Sequence, residues 1–347
     1  MFVEFKCGNS SDPFHSEEKL PFEKLFETTC ATRGQIILYS TRMQTYQFRT
    51  WAFSIGIFGK VARLFRWDRA GAIVSDPILY SGKESGNLVE FLCRFDMMDR
   101  AQRGSDHTVS IATGAEAEAF DKAIKAIVGN RKNELLKDLI ASVGETARYP
   151  RRKIEIPTGD DGSGKPESYI VGRSMTSAKS PTGRATRCFV AWSIGAKKLV
   201  FLKDSWRPDV VGMKGEAHWF GKLEGARNIS AFLHGSDVRA SRVVMMARRA
   251  GPPTNQFQHT LTNLYSEDYG GPHMMMGYIH YRTVQCEFYV PLEMFKDSKH
   301  LVQIILDIIT GTDLLLSTQL RSLNLPQQSK TFLNEGSFIA ILASQTS

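Results

Sequence analysis

Lys198-Leu199-Val200-Phe201-Leu202-Lys203-Asp204-Ser205-Trp206-Arg207 is the stretch on which the reading of this chain turns. Its apolar part, 199–202, has the length of a short buried strand, and Lys203 stands at the end of it. Thirteen residues after that lysine, Gly215-Glu216-Ala217-His218-Trp219 opens a predicted helix. A compact ammonium at a strand end reaches phosphate oxygens, and a carboxylate on a neighbouring helix holds it there. Glu216 suits this partnership better than Glu224. It leaves room for the rest of a helix and a turn before a strand near Ile229, whereas Glu224 lies at the helix end. The plain alternative is a surface lysine at the end of a strand.

Strand-like runs flank this stretch. Ser168-Tyr169-Ile170-Val171-Gly172 and Thr186-Arg187-Cys188-Phe189-Val190-Ala191-Trp192 precede it. Further strands are expected near Ile229 and over 280–286, and a helix over 297–310 follows. The predicted order is three strands, a helix and two more strands. Ser180-Pro181-Thr182-Gly183-Arg184-Ala185-Thr186 joins the first two strands. As a hairpin loop it would lie over phosphates held by Lys203, with Thr182, Gly183 and Arg184 in reach. It has one glycine and does not match G-x-G-x-x-G, and taken alone it reads first as a Pro-Thr-Gly β-turn.

Upstream, residues 1–30 read as a tail leading into one short helix, and 35–48 as an amphipathic helix. Trp51-Ala52-Phe53-Ser54-Ile55-Gly56-Ile57-Phe58 and Val61-Ala62-Arg63-Leu64-Phe65-Arg66-Trp67 are strand-like runs around the turn Gly59-Lys60, which predicts an antiparallel hairpin. Helices are predicted over 88–98, 115–127 and 134–143. Residues 31–145 thus form an N-terminal α+β domain. Pro150, Pro157 and Pro166, with three glycines among charges, mark 146–167 as a linker or long surface loop. Arg63, Arg66, Trp67 and Arg69 interleave cations with aromatics. Such a stripe either stacks bases and holds phosphates, or is a half-buried strand with its arginines in solvent.

Hydrophobic residues at 42% and charged residues at 23% fit a globular chain with a sizeable core. A net charge of +8 permits attraction to nucleic acid, acidic peptides or membrane surfaces without selecting one. The five cysteines are scattered with no C-x-x-C pair, which suits free thiols in a reducing compartment, cytoplasmic or nuclear. The start of the chain lacks the apolar core of a signal peptide, and the late apolar stretch 301–316 is interrupted by Asp307 and Asp313. Gly159-Asp160-Asp161-Gly162-Ser163-Gly164-Lys165-Pro166 mimics a Walker motif. It ends in proline rather than a hydroxyl residue, precedes a strand, and carries two aspartates, so it is read as an acidic loop. The histidines show no ligand spacing, and no metal site is proposed.

Over roughly residues 30–310 the chain resembles the fungal-type protein kinases. The resemblance rests on Arg33-Gly34-Gln35, Gln47-Phe48-Arg49-Thr50 and Ala62-Arg63-Leu64-Phe65-Arg66-Trp67-Asp68-Arg69-Ala70-Gly71-Ala72-Ile73-Val74-Ser75. It rests further on Ser180 to Arg187, on Leu199 to Arg207, and on Pro291-Leu292, Phe295 and Leu301-Val302-Gln303-Ile304. The resemblance implies a kinase small lobe over 168–311 with the hinge and first large-lobe helix. It implies ATP and magnesium as cofactors and phosphotransfer to protein Ser/Thr. Lys203 would be the ATP lysine and Glu216 its partner, the Lys–Glu ion pair on which kinases depend. Residues 283–290 would form the strand and hinge that meet adenine, with Glu287 and Tyr289 there.

The sequence contains no His-Arg-Asp and no Asp-Phe-Gly, and 312–347 departs from the family pattern. The expectation is therefore a chain truncated before the large lobe, a pseudokinase with no catalytic or metal-binding residue assigned, binding ATP weakly if at all. The competing class is a non-catalytic binding or scaffold module whose basic N-terminal domain contacts nucleic acid or protein.

Overall fold

The computed structural model describes residues 1–17, 19–82, 85–129, 137, 140, 149–158, 164–222, 230–241, 256–265, 275–287, 292, 295–307 and 309–310. The expected helix over 134–143, Tyr289 and the tail 312–347 lie wholly or mostly outside them.

Two sheets carry the fold. The first contains β1 (Phe2–Lys6), β2 (Ala52–Phe58), β3 (Val61–Trp67) and β4 (Ala72–Val74) in that order, with β5 (Ile78–Leu79) also on β3. The hairpin of β2 and β3 is as its alternation demands. Phe58 and Phe65 are buried, and Trp67 donates to Ser54 Oγ at 2.9 Å. Across the sheet lies α1 (Glu27–Tyr46), which begins eight residues before the expected 35–48. Its buried stripe is Thr29, Thr32, Ile36, Ser40 and Met43, a helical spacing built largely from hydroxyl residues. Apolar periodicity therefore missed its first two turns. Thr32 and Thr41 donate to carbonyls one turn back, at 2.9 and 2.8 Å, so they are buried at little cost.

Residues 1–30, expected as a tail, supply a strand of this sheet and packing against it. β1 pairs in parallel with β2, Phe14 is buried against Phe65, and Asp12 accepts from Arg63 Nε at 2.9 Å. Arg63 and Arg69 are only 1% and 2% exposed, so the arginine stripe is not on the surface. Both readings of it fail for one reason: each buried guanidinium has found oxygens inside the protein. Arg66 bonds Asp68 at 2.9 Å, and Arg69 donates to Pro181 O at 3.0 Å. Burial, with Arg187 nearby, pushes Arg69 down to about 9.

The second sheet has seven strands. In chain order they are β6 (Val109–Ile111), β7 (Arg152–Ile156), β8 (Glu167–Val171), β9 (Arg187–Ser193), β10 (Lys198–Pro208), β11 (Phe232–Asp237) and β12 (Tyr278–Gln285). In space they run β11-β12-β10-β9-β8-β7-β6, all antiparallel. The linker read over 146–167 is thus partly a correction, since it contains β7. Arg152-Lys153-Ile154-Glu155-Ile156 alternates with Ile154 and Ile156 fully buried, a period-2 signal that the surrounding Pro and Gly had masked. β6 comes from the N-terminal half, so that half contributes to both sheets.

The other helices are α2 (Gly86–Met97), α3 (Gly114–Gly129), α4 (Glu216–Lys222) and one turn at Thr262–Tyr265, with further helix over 298–307. Among the described residues no helix is long and apolar enough to cross a membrane.

A turn at Gly104 packs against the chain entering β2. Gly104 sits at φ +89° with its carbonyl accepting from Thr50 N at 2.9 Å, and an added Cβ would lie 2.1 Å from Trp51 O. Gly104→Ala is expected to cost at least about 1–3 kcal/mol from backbone conformation alone. Urea unfolding measures this, and an unchanged midpoint would show that the turn relaxes freely.

Candidate functional site

β10 extends to Pro208, beyond the expected 199–202, and holds Lys203 near its middle. It pairs with β9 on one side and β12 on the other, so Lys203 lies opposite Cys188 and Thr283. α4 begins at Glu216, anchored by Ala217 N donating to Tyr281 Oη at 2.8 Å. An added Cβ on Gly215 would lie 2.6 Å from the Tyr281 ring, so glycine is what lets the helix approach. The result is Lys203 Nζ 2.6 Å from Glu216 Oε1, both half-buried. Arg184 Nη2 reaches the same oxygen at 3.0 Å. Two cations thus share one carboxylate, leaving an excess of positive charge at the face where β10 meets α4. Cys188 lies beside this pair, and burial pushes its thiol up.

The other named residues divide. Thr182 and Gly183 belong to a loop that is held from below: Gly183 N donates to Arg69 O at 2.8 Å, and Trp206 N to Arg184 O at 2.8 Å. Gly183 sits at φ +82°, in the left-handed region. The loop therefore brings Arg184 to Glu216 while its tip is tied to the turn after β3. The Glu287 carboxylate accepts from Ser230 Oγ at 2.7 Å and Ala231 N at 3.0 Å, so it fastens the start of β11 rather than facing Lys203.

Alternation along β10 puts Leu199, Phe201 and Lys203 on one face, and the register adds Val190 and Trp192 of β9 and Ile170 of β8. α3 covers part of that face. Phe120 and Ile124 are buried against Ile170 and Val190, with Trp192 and Leu199 at the margin. Phe201, two residues before the lysine, is itself 7% exposed.

On the opposite face sequence reasoning missed a buried ionic network. Asp204, next to Lys203 but pointing the other way, takes Arg187 Nη2 at 3.0 Å and Arg282 Nε at 3.2 Å, with His280 Nε2 at 2.7 Å. Arg282 also donates to Asp106, and Gln258 bridges Asp106 at 2.9 Å to His280 at 2.6 Å. The surrounding cations hold Asp204 and Asp106 well below the usual carboxylate range despite burial. Burial lowers His280, with Asp204 acting against it. The signal in sequence was faint: alternate polar residues in an otherwise apolar strand, His280-Tyr281-Arg282, read as strand but not as buried charge.

A strand lysine ion-paired to the first residue of a helix, within a sheet ordered β11-β12-β10-β9-β8, is consistent with the class of protein-kinase small lobes. A family model described as fungal protein kinase matches residues 31–320, most of the chain, and the chain belongs to that family. No curated protein and no solved structure gives a significant match.

Proposed function

We propose that this chain holds the phosphates of ATP through Lys203, positioned by Glu216 and seconded by Arg184, in the manner of a kinase small lobe. The Lys203–Glu216 pair at 2.6 Å supports this reading above all. Two cations on one carboxylate suit a polyanion, which adds the missing negative charge. The phosphate end of the ligand therefore fits the residues present, and magnesium is implied by the family alone.

The base end fits less well. In kinases the residue two before the lysine is a small one, as in V-A-I-K, whereas here it is Phe201, and α3 covers part of the same face. ATP binding by the 347-residue chain is therefore weak, and without His-Arg-Asp or Asp-Phe-Gly the chain alone transfers no phosphate to Ser or Thr. The five free cysteines support an intracellular, reducing compartment.

Calorimetric titration with ATP at low salt tests this. Lys203→Met should weaken binding about tenfold or more, the loss expected of a charge-assisted contact. Equal affinity in wild type and variant removes the role of Lys203. Strong phosphotransfer by the isolated chain would place a catalytic base that the sequence does not reveal. The coverage by α3 favours a second reading, a non-catalytic binding module. A folded chain that binds no ATP at any salt selects it.

A further inference from the structure

On the face of the β8–β9 hairpin opposite Lys203 lies a cleft of about 460 Å³, within the range of ligand sites. Arg42 of α1, Arg152 of β7 and Arg173 after β8 line it, with Tyr46, Tyr149 and Phe189. Tyr46 and Tyr149 stand 6.2 Å apart between ring centroids, and Arg173 lies over the Tyr149 ring at 5.3 Å. Arg187 closes the floor, but its charge is already matched by Asp204.

Arg42, Arg152 and Arg173 have no carboxylate partner among the described residues, and no acidic side chain is among the cleft's described lining. The first and last of them are exposed, whereas Arg152 is half-buried. Burial and Arg100 together lower Arg152, the direction expected of a guanidinium without a counter-ion. Three planar donors drawn from three separate elements converge on one concave space. That arrangement suits a compact multivalent anion better than isolated carboxylates. Aromatic walls beside the donors suit a carrier with an apolar ring. A nucleic-acid strand would need a longer row of cations, and Arg63 and Arg69, the nearest sequence candidates for one, are buried.

We propose that this cleft binds a phosphate monoester carried on an aromatic side chain of a peptide, with Arg42, Arg152 and Arg173 holding the phosphate and Tyr46 and Tyr149 flanking the ring.

Fluorescence anisotropy with a labelled peptide bearing one phosphotyrosine, and with its unphosphorylated twin, tests the assignment on the full chain. Only the phosphorylated peptide should bind. Arg42→Gln with Arg173→Gln, both at exposed positions, should weaken it about tenfold or more while circular dichroism stays that of the wild type. Lys203→Met should leave it unchanged, because Lys203 lies on the other face of the sheet. Equal binding of both peptides, an undiminished affinity in the double variant, or loss in Lys203→Met would overturn the proposal. AMP is the probe for a free metabolite source: binding of AMP with none of the phosphopeptide would overturn the peptide carrier.

Discussion

Replacing Asp204 by alanine is expected to lower the unfolding free energy by about 3–5 kcal/mol, the cost of removing one partner from a buried ion cluster. Asp204 is 1% exposed, and its two oxygens receive Arg187, Arg282 and His280. Alanine leaves these cationic and polar groups inside the protein with Asp106 as the remaining paired carboxylate among the described residues, and Asp106 is already committed to Arg282, Thr108 and Gln258. The effect should reach the N-terminal sheet as well, because Arg187 donates from this cluster to Thr45 O of α1 at 2.7 Å and stacks on Phe48 at 4.2 Å. Glu90→Ala supplies the comparison. Its partner Arg94 is on the surface of α2, both side chains are more than half exposed, and the change should cost no more than about 0.5 kcal/mol. Equilibrium urea denaturation of the two variants measures the contrast, and a similar small loss in both would mean that the cluster relaxes or hydrates.

The pH dependence follows from the same geometry. Asp204 and Asp106 titrate lower in the folded chain than in the unfolded one. Their stabilisation is therefore complete above the unfolded carboxylate value of about 4 and is lost as pH falls through the lower folded values. The gap between wild type and Asp204→Ala should close only under acid conditions below about pH 4.

Much of the second sheet was legible because its strands are apolar, short and well separated. The lysine–glutamate pair was legible because strand, lysine and helix lie close in sequence. What stayed hidden was long-range or polar. β7 was concealed by prolines and glycines on either side, although its own five residues alternate cleanly. The first turns of α1 bury threonines, which an apolar period cannot register. Asp204 stood in plain view beside Lys203, but its partner Arg282 is 78 residues away, Asp106, which shares that arginine, is about a hundred away, and no local pattern joins them. The same separation explains the basic stripe. Arg63 and Arg69 look like surface cations until Asp12 and Pro181 are brought beside them.

That last pairing carries the second large effect. Asp12→Ala should cost about 3–5 kcal/mol, although it lies in a segment that reads as a disposable tail. Asp12 accepts from Arg63 Nε through both oxygens at 2.9 Å, and the two side chains are 6% and 1% exposed. Arg63 keeps further bonds to Ser75 O at 2.9 Å and Ser16 Oγ at 3.0 Å, but those partners are neutral. Without Asp12 its charge is buried in β3, between β2 and β4, with no counter-ion among the described residues. Arg63→Met in the Asp12→Ala background removes the stranded charge and retains most of the side-chain volume. Stability should recover by a large part of the loss, because an apolar pair of similar size replaces a buried ion pair at little cost. Thermal and urea unfolding of the single and double variants form the cycle. Additive losses would refute coupling between the two residues, and a negligible loss in Asp12→Ala would return residues 1–30 to the status of a tail.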